Sequence, residues 1–187
     1  MEIRTDARRK RDQIIDRART LFAERGTKLP MEQIAREAGV GVGTLYRRFP
    51  DRDALIRAVL ADSMRRQAEL AEAELAEGRD GWQALVGFMN RSIEERTAGL
   101  LAVYGRQLVD VLKQNPELLE ARQGMHQALN HIIETAQEQG TLRADIGIGD
   151  IIVIVGVLIR QHADIPDELT DAVRGRLLGL LLAGLRA

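Results

Sequence analysis

The sequence predicts an all-α protein in which a three-helix head carrying a helix-turn-helix precedes a larger helical body. Three observations carry that prediction. Apolar residues recur at helical spacing almost throughout, beginning with Ile14, Ile15, Ala18, Leu21 and Phe22. Glycines stand where those stripes stop, at Gly26, Gly39, Gly78 and Gly140, as helix C-termini require. Aromatic residues make up only 3% of the chain while Leu, Ala, Ile and Arg abound, which favours helix over sheet.

The head is expected over residues 1–50 and the body over 51–187. The first helix should run from Asp6 to Arg25, covering the two short helices that follow. Pro30 suits the first turn of the second helix, in which Ile34, Ala35 and Ala38 share a face before Gly39 closes it. Val40 then plugs the turn, and Gly41 stands where the third helix begins. Leu45 and Phe49, four apart, point inward and leave Thr44, Arg47 and Arg48 pointing elsewhere. Asp51 caps a long helix that ends at Gly78, a connecting rod of roughly 38 Å.

Beyond the rod, residues 80–140 are expected to hold the ligand-binding helices. Trp82, Leu85, Val86 and Met89 share one face; a break near Thr97 to Gly99 leads to a helical segment from Leu100 to Lys113. Asn115-Pro116-Glu117 is a helix start with a cap, a proline and an acid, and that helix ends at Gly140. Two apolar helices close the chain, from about Asp150 to Gln161 and from about Pro166 to Arg186. Their runs IIVIVGVLI and LLGLLLAGL are apolar on too many sides for the surface of a monomer, so residues 148–187 are expected to pair two copies of the chain. Gly156, Gly175, Gly179 and Gly184 would let helices approach closely there. An internal core is the competing account.

Composition narrows the function classes. At 187 residues with 45% hydrophobic and 29% charged content, the chain can bury a core. It has no cysteine, which removes disulfides and thiolate chemistry and suits a reducing cytoplasm, the expected location. No apolar run approaches the roughly 20 residues of a membrane span, and the polar stretch from Glu2 to Arg11 does not read as a signal peptide. Ser63 and Ser92 sit in no strand-to-helix elbow, no phosphate loop appears, and His126 and His131 are five apart and diverge on a helix. The expectation is therefore neither an enzyme nor a metalloprotein, with no cofactor. Charge is asymmetric: residues 1–50 carry 12 Lys and Arg against 7 Asp and Glu, and the other 137 carry 15 against 21. A basic head on an acidic body suits a phosphate-binding domain attached to one that does not bind phosphate.

The third helix exposes two arginines, a threonine and a tyrosine beside two glycines. Nucleic acid explains that face, since arginine forks match guanine edges and phosphates, and small residues let the backbone approach. A solvated charged face is the bland alternative. Arg8, Arg9, Lys10 and Arg11 stand equally well as an arm toward phosphates or as solubilising charge.

Ile34-Ala35, Ala38-Gly39-Val40, Gly43-Thr44-Leu45-Tyr46 and Phe49-Pro50, with Arg52 and Leu55 beyond, resemble the TetR-type bacterial transcriptional regulators. Gly140-Thr141-Leu142-Arg143-Ala144-Asp145 is similar to a loop common in that family. Gly41 stands where the family often has a serine cap, and Arg48 where it often has histidine. The resemblance implies a dimeric DNA-binding regulator, a repressor released from a palindromic operator by a small molecule. Double-stranded DNA, an effector and a second copy of the chain are its implied partners.

In that reading the helix from Val42 to Phe49 enters the major groove, with Val42 and Gly43 at its leading end. Thr44 and Arg47 are candidates for base edges; Tyr46, Arg48, Arg52 and Lys28 are candidates for phosphates. Trp82, Tyr104, Arg106, Met125 and His126 are the candidates to line an effector pocket, with Gln107 or Asn130 as further polar handles, although a tryptophan or methionine at helical spacing also serves as plain core. A helical ligand-binding or protein-interaction module whose basic head docks an acidic partner is the alternative.

Overall fold

The computed structural model describes residues 2–94, 115–159 and 167–187, with side-chain burial for 8–94, 115–159 and 172–187. Eight helices lie in those residues: α1 (Glu2–Arg25), α2 (Met31–Glu37), α3 (Val42–Arg48), α4 (Arg52–Ala76), α5 (Gly81–Glu94), α6 (Pro116–Glu138), α7 (Ile148–Ile159) and α8 (Asp167–Leu185). The expected break at Thr97 to Gly99 and the segment from Leu100 to Lys113 lie outside the described residues. Among the described residues no helix is long and apolar enough to cross a membrane.

Local chemistry explains most boundaries. Asp51 caps α4 by accepting a 2.6 Å hydrogen bond from the Ala54 N–H, and Asn115 caps α6 through the Leu118 N–H at 3.0 Å. Gly26, Gly39, Gly78 and Gly140 all have φ between 66° and 77°. Three boundaries differ from the sequence reading. Helix α1 begins at Glu2 because nothing between there and Asp6 interrupts it. Pro30 is the N-cap of α2 rather than a first-turn residue; its carbonyl accepts from the N–H groups of Gln33 and Ile34. Helix α7 starts before Asp150, because that carboxylate reaches back to the Gly147 N–H at 2.9 Å, the work of an acid in the first turn and not of a cap.

The head packs Ile14, Ala18, Leu21 and Phe22 of α1 against Ile34, Ala35 and Leu45. The same core continues through Leu55, Ile56 and Val59 into α4, so the rod belongs to head and body alike. Across the joint, Asp16 of α1 pairs with Arg66 of α4 at 2.6 Å, and Arg66 also holds Asp62 at 2.9 Å. Within the head, Arg17 donates to Glu37 at 2.7 Å and ties α1 to the end of α2.

In the body, α4 packs most extensively against α6 and α5. Two glycines permit that closeness. A Cβ at Gly81 would strike the Ala136 backbone of α6, and the Gly81 N–H donates to the Gln139 side chain at 2.8 Å. A Cβ at Gly87 would fall on the carboxylate of Glu74, a fully buried side chain held between Arg79 and Arg91. The chain end is pinned as well: Leu142 and Arg186 form an antiparallel bridge, the Arg143 N–H donates to Leu185 O at 3.1 Å, and the Arg186 guanidinium lies 4.9 Å from the Trp82 ring centroid.

Gly81→Ala should therefore destabilise the protein by about 1–3 kcal/mol, the usual range for overpacking, seen as a lower urea midpoint; an unchanged midpoint would show that α5 can leave α6 freely. The Glu37 carboxyl lies below its ordinary range, chiefly through the Arg17 hydrogen bond; burial opposes the shift, and the charges of Arg17, Arg25 and Arg36 add to it. Its pairing contributes stability above the unfolded value of 4.5 and loses it as pH falls through the lower folded value. The difference in melting temperature between the protein and Glu37→Gln should accordingly close below that pH; a constant difference would contradict it.

Candidate nucleic-acid interface

Helix α3 has only seven residues, too few to persist without support. Its entrance is set by the turn: the Gly39 N–H bonds Arg36 O at 3.1 Å and the Val40 N–H bonds Ala35 O at 3.0 Å, a paired C-terminal closure that needs the positive φ of Gly39. Gly41 then serves as N-cap through its carbonyl alone, accepting from the N–H groups of Thr44 at 2.8 Å and Leu45 at 3.1 Å. Leu45 and Phe49 are buried and fix the rotation of the helix. Arg11 lies 5.8 Å from the Phe49 ring centroid, which takes it out of any flexible basic arm.

With its back buried, α3 presents Val42, Gly43, Tyr46, Arg47 and Arg48 to solvent, and Thr44 is half-buried. The Arg47 side chain folds along the helix, its Nε donating to Gly43 O at 3.2 Å and its Nη2 to Thr44 Oγ1 at 3.3 Å. The two expected base readers are thus brought together and bonded to one another. On one flank the Tyr46 hydroxyl donates to Glu32 Oε1 at 3.2 Å. Partial burial and then the Glu32 charge raise the Tyr46 phenol above its ordinary value, so it remains a donor at neutral pH. Arg52 stands on that side too, its Nη1 donating to Thr27 O at 2.9 Å, which sets exposed Lys28 beside it. On the opposite flank, Arg48 lines a polar cavity of about 200 Å³ with Arg11, Arg57, Asn115 and Glu117. Cationic or donor groups therefore border the exposed face on both sides.

The sequence reading missed several of these residues. Arg57 is one; it lies five residues from Arg52 on α4 and so faces another side of that helix, which left no signal in the sequence pattern. Glu32, which holds Tyr46, and Glu117, which lies 3.4 Å from Arg65 and 3.8 Å from Arg11, gave none, because their partners are distant in sequence.

Of the residues named for an effector pocket, only part lie among the described residues, and of those Trp82 is set apart from Met125 and His126. Met125 is buried on α6 and His126 is half-buried beside it, its imidazole held below its ordinary value by burial and then by Arg122. Trp82 lies under Arg186 at the far end of the body, and Gly81 abuts Ala136, about three turns of α6 from Met125. Asn130 is exposed; Tyr104, Arg106 and Gln107 lie outside the described residues.

Comparison with known proteins agrees with this geometry. Residues 14–59 match the family of bacterial regulatory proteins of the tetR family, and residues 80–187 match the C-terminal domain of SbtR-like transcriptional regulators. The fold is similar to a TetR transcriptional regulator from Streptomyces coelicolor, with a TM-score of 0.67 and 34% identity over 94% of this chain and 98% of that one. It is likewise similar to a TetR transcription regulatory protein from Mycobacterium vanbaalenii, with a TM-score of 0.64 and 32% identity over 99% of each chain. Among curated relatives, an HTH-type transcriptional regulator of Staphylococcus aureus is 44% identical over 54 residues, which span 28% of this chain and 29% of that protein. The described fold is all-helical, with the helix-turn-helix at its front, and the relatives are regulators rather than enzymes. The chain belongs to the TetR family of DNA-binding transcriptional regulators.

Proposed function

We propose that this regulator is a homodimeric repressor that leaves a palindromic operator when a small molecule binds its body, acting in the cytoplasm where the chromosome lies. The observation that carries the reading is the construction of α3: a buried back, an exposed face and basic groups on both flanks. Each protomer lays α3 in the major groove. Thr44 and Arg47 serve base edges, Val42 and Gly43 lead the helix in, and Tyr46, Arg48, Arg52 and Lys28 hold phosphates. Arg47 exchanges its bonds to Gly43 and Thr44 for bonds to DNA, and Tyr46 exchanges Glu32 for a phosphate oxygen.

Dimerisation by α7 and α8 is supported by what the protomer leaves uncovered. Val153 is 63% exposed and Val157 54% on α7; Leu177 is 43% exposed and Leu180 71% on α8. A Cβ at Gly175, Gly179 or Gly184 would meet nothing within 4 Å, so among the described residues of the protomer no helix uses the close approach those glycines allow. A second copy does so in this reading. It would place the two α3 helices about 34 Å apart, or a multiple, to meet successive grooves. An effector that favours a different spacing lowers operator affinity through that difference alone. Trp82, Met125, His126, Tyr104 and Arg106 remain the proposed effector residues, with Trp82 half-buried beneath Arg186.

Selection of duplexes from a random pool should yield an inverted repeat bound with steep salt dependence. Changing Arg47 and Arg48 together to alanine should weaken that binding at least about 30-fold and flatten its salt dependence, with melting unchanged because both side chains are exposed; full affinity in the double variant would refute the reading and leave an acidic protein partner for the head. Leu180→Glu should convert a dimer to a monomer in sedimentation and lower operator affinity with it. A dimer that persists in this variant would move the interface elsewhere.

A further inference from the structure

We infer that Val42 is a specificity-determining residue of this regulator and reads the C5-methyl group of a thymine in each half-site. The inference rests on the reading of α3 as the element that enters the groove and assigns what its first turn recognises. Val42 is the first residue of α3 and is 40% exposed. Its neighbours Gly41 and Gly43 are exposed too and carry no side chain that could shield the valine. Exposed apolar side chains scattered over a surface need no explanation. This one occupies the first turn of a helix whose N-terminal residues meet base edges in a helix-turn-helix.

The polar groups of the same face are already engaged. Thr44 Oγ1 accepts from Arg47, the Arg47 Nε donates to Gly43 O, and the Tyr46 hydroxyl donates to Glu32. The Tyr46 hydroxyl must give up Glu32 before it can donate to DNA, and Arg47 and Thr44 have only their remaining donors to offer unless they part from one another. Val42 gives up only water. Its counterpart must be apolar, and the major-groove edge of the four bases offers one apolar group, the thymine methyl. Tyr46, four residues on and 41% exposed, extends the same apolar strip along the helix. A carbonyl or amino edge set against Val42 would lose its water with no hydrogen bond in return, so the valine both favours thymine and disfavours the other bases.

The test uses selected duplexes in which each thymine in turn is replaced by deoxyuridine, which removes the methyl and leaves the pairing intact. The full-length protein should lose about fourfold in affinity at one thymine per half-site, the effect of one buried methyl-sized group. Val42→Ala should be weaker on the parent duplex and indifferent to deoxyuridine at that same position, with an unchanged melting temperature because the side chain lies outside the core. If both proteins respond alike at every thymine while still selecting a duplex, the assignment of Val42 is overturned and the reading of α3 stands. If the wild type selects no duplex, both fall. A variant that shows the same thymine sensitivity as the wild type but altered preference at a different base would also overturn it.

Discussion

The burial of Leu45 and Phe49 is the constraint on which the rest depends. A helix of seven residues has little stability of its own, and α3 adds little to it: it starts without a side-chain cap and has no acid in its first turn, so only the arginines of its last turn favour the helix dipole. What keeps it helical is the head core beneath it, where Leu45 is 0% exposed and meets residues of α1, α2 and α4 in one apolar cluster. Once those two side chains are in place, rotation about the helix axis is no longer free. The exposed face follows from that: Arg47, two residues on from Leu45, points away from the core, while Val42 and Tyr46 lie at its edge, 40% and 41% exposed. Recognition is thus a by-product of packing.

The same logic explains why weak polar contacts surround the head. Arg17–Glu37, Asp16–Arg66 and Arg52 on Thr27 O each join parts of the head to one another or to α4. They are partly exposed, and pairs of that kind contribute only about 0.2–1 kcal/mol each. Their use is positional. Arg52 illustrates it: a cation in the first turn of a helix opposes the helix dipole, yet here it satisfies the carbonyl of the loop after α1 and sets the height of Lys28. The sequence reading gave Arg52 to a phosphate, and a guanidinium with five donors can hold the carbonyl and still offer others outward.

Much of this was legible from the residues in order. Asp51 and Asn115 as caps, four glycines as stops, and the buried faces through Ile34 and Leu45 depend on neighbours within a turn or two, and periodicity captures such relations. The chemistry of α3 was legible for the same reason. What escaped joins distant segments. Gly81 and Gly87 look like helix breakers until Ala136 and Glu74 are seen beside them, and nothing near Trp82 in the sequence announces the Arg186 that lies over its ring. Arg11 read as part of a basic arm, and only the fold sets it over Phe49. Glu32 is the instructive case: an acid in the first turn of α2 is explained locally by the helix dipole, so nothing in the sequence hints that it also holds the hydroxyl of Tyr46.

Glu117 shows how the body can speak to that face. It sits in the first turn of α6, 3.4 Å from Arg65 on the rod and 3.8 Å from Arg11, and Arg11 in turn lies over Phe49 at the end of α3. A displacement of α6 relative to α4 would therefore be felt at the residue that fixes the rotation of the reading helix. The side chains involved are between 34% and 57% exposed, so each contact is weak and solvent-screened. That weakness suits a joint. Coupling between sites in regulated proteins is typically about 1–3 kcal/mol, which a few such contacts can supply. A strong buried pair at this point would lock head and body together; under the proposed release by a small molecule, it would leave that molecule too little energy to part them.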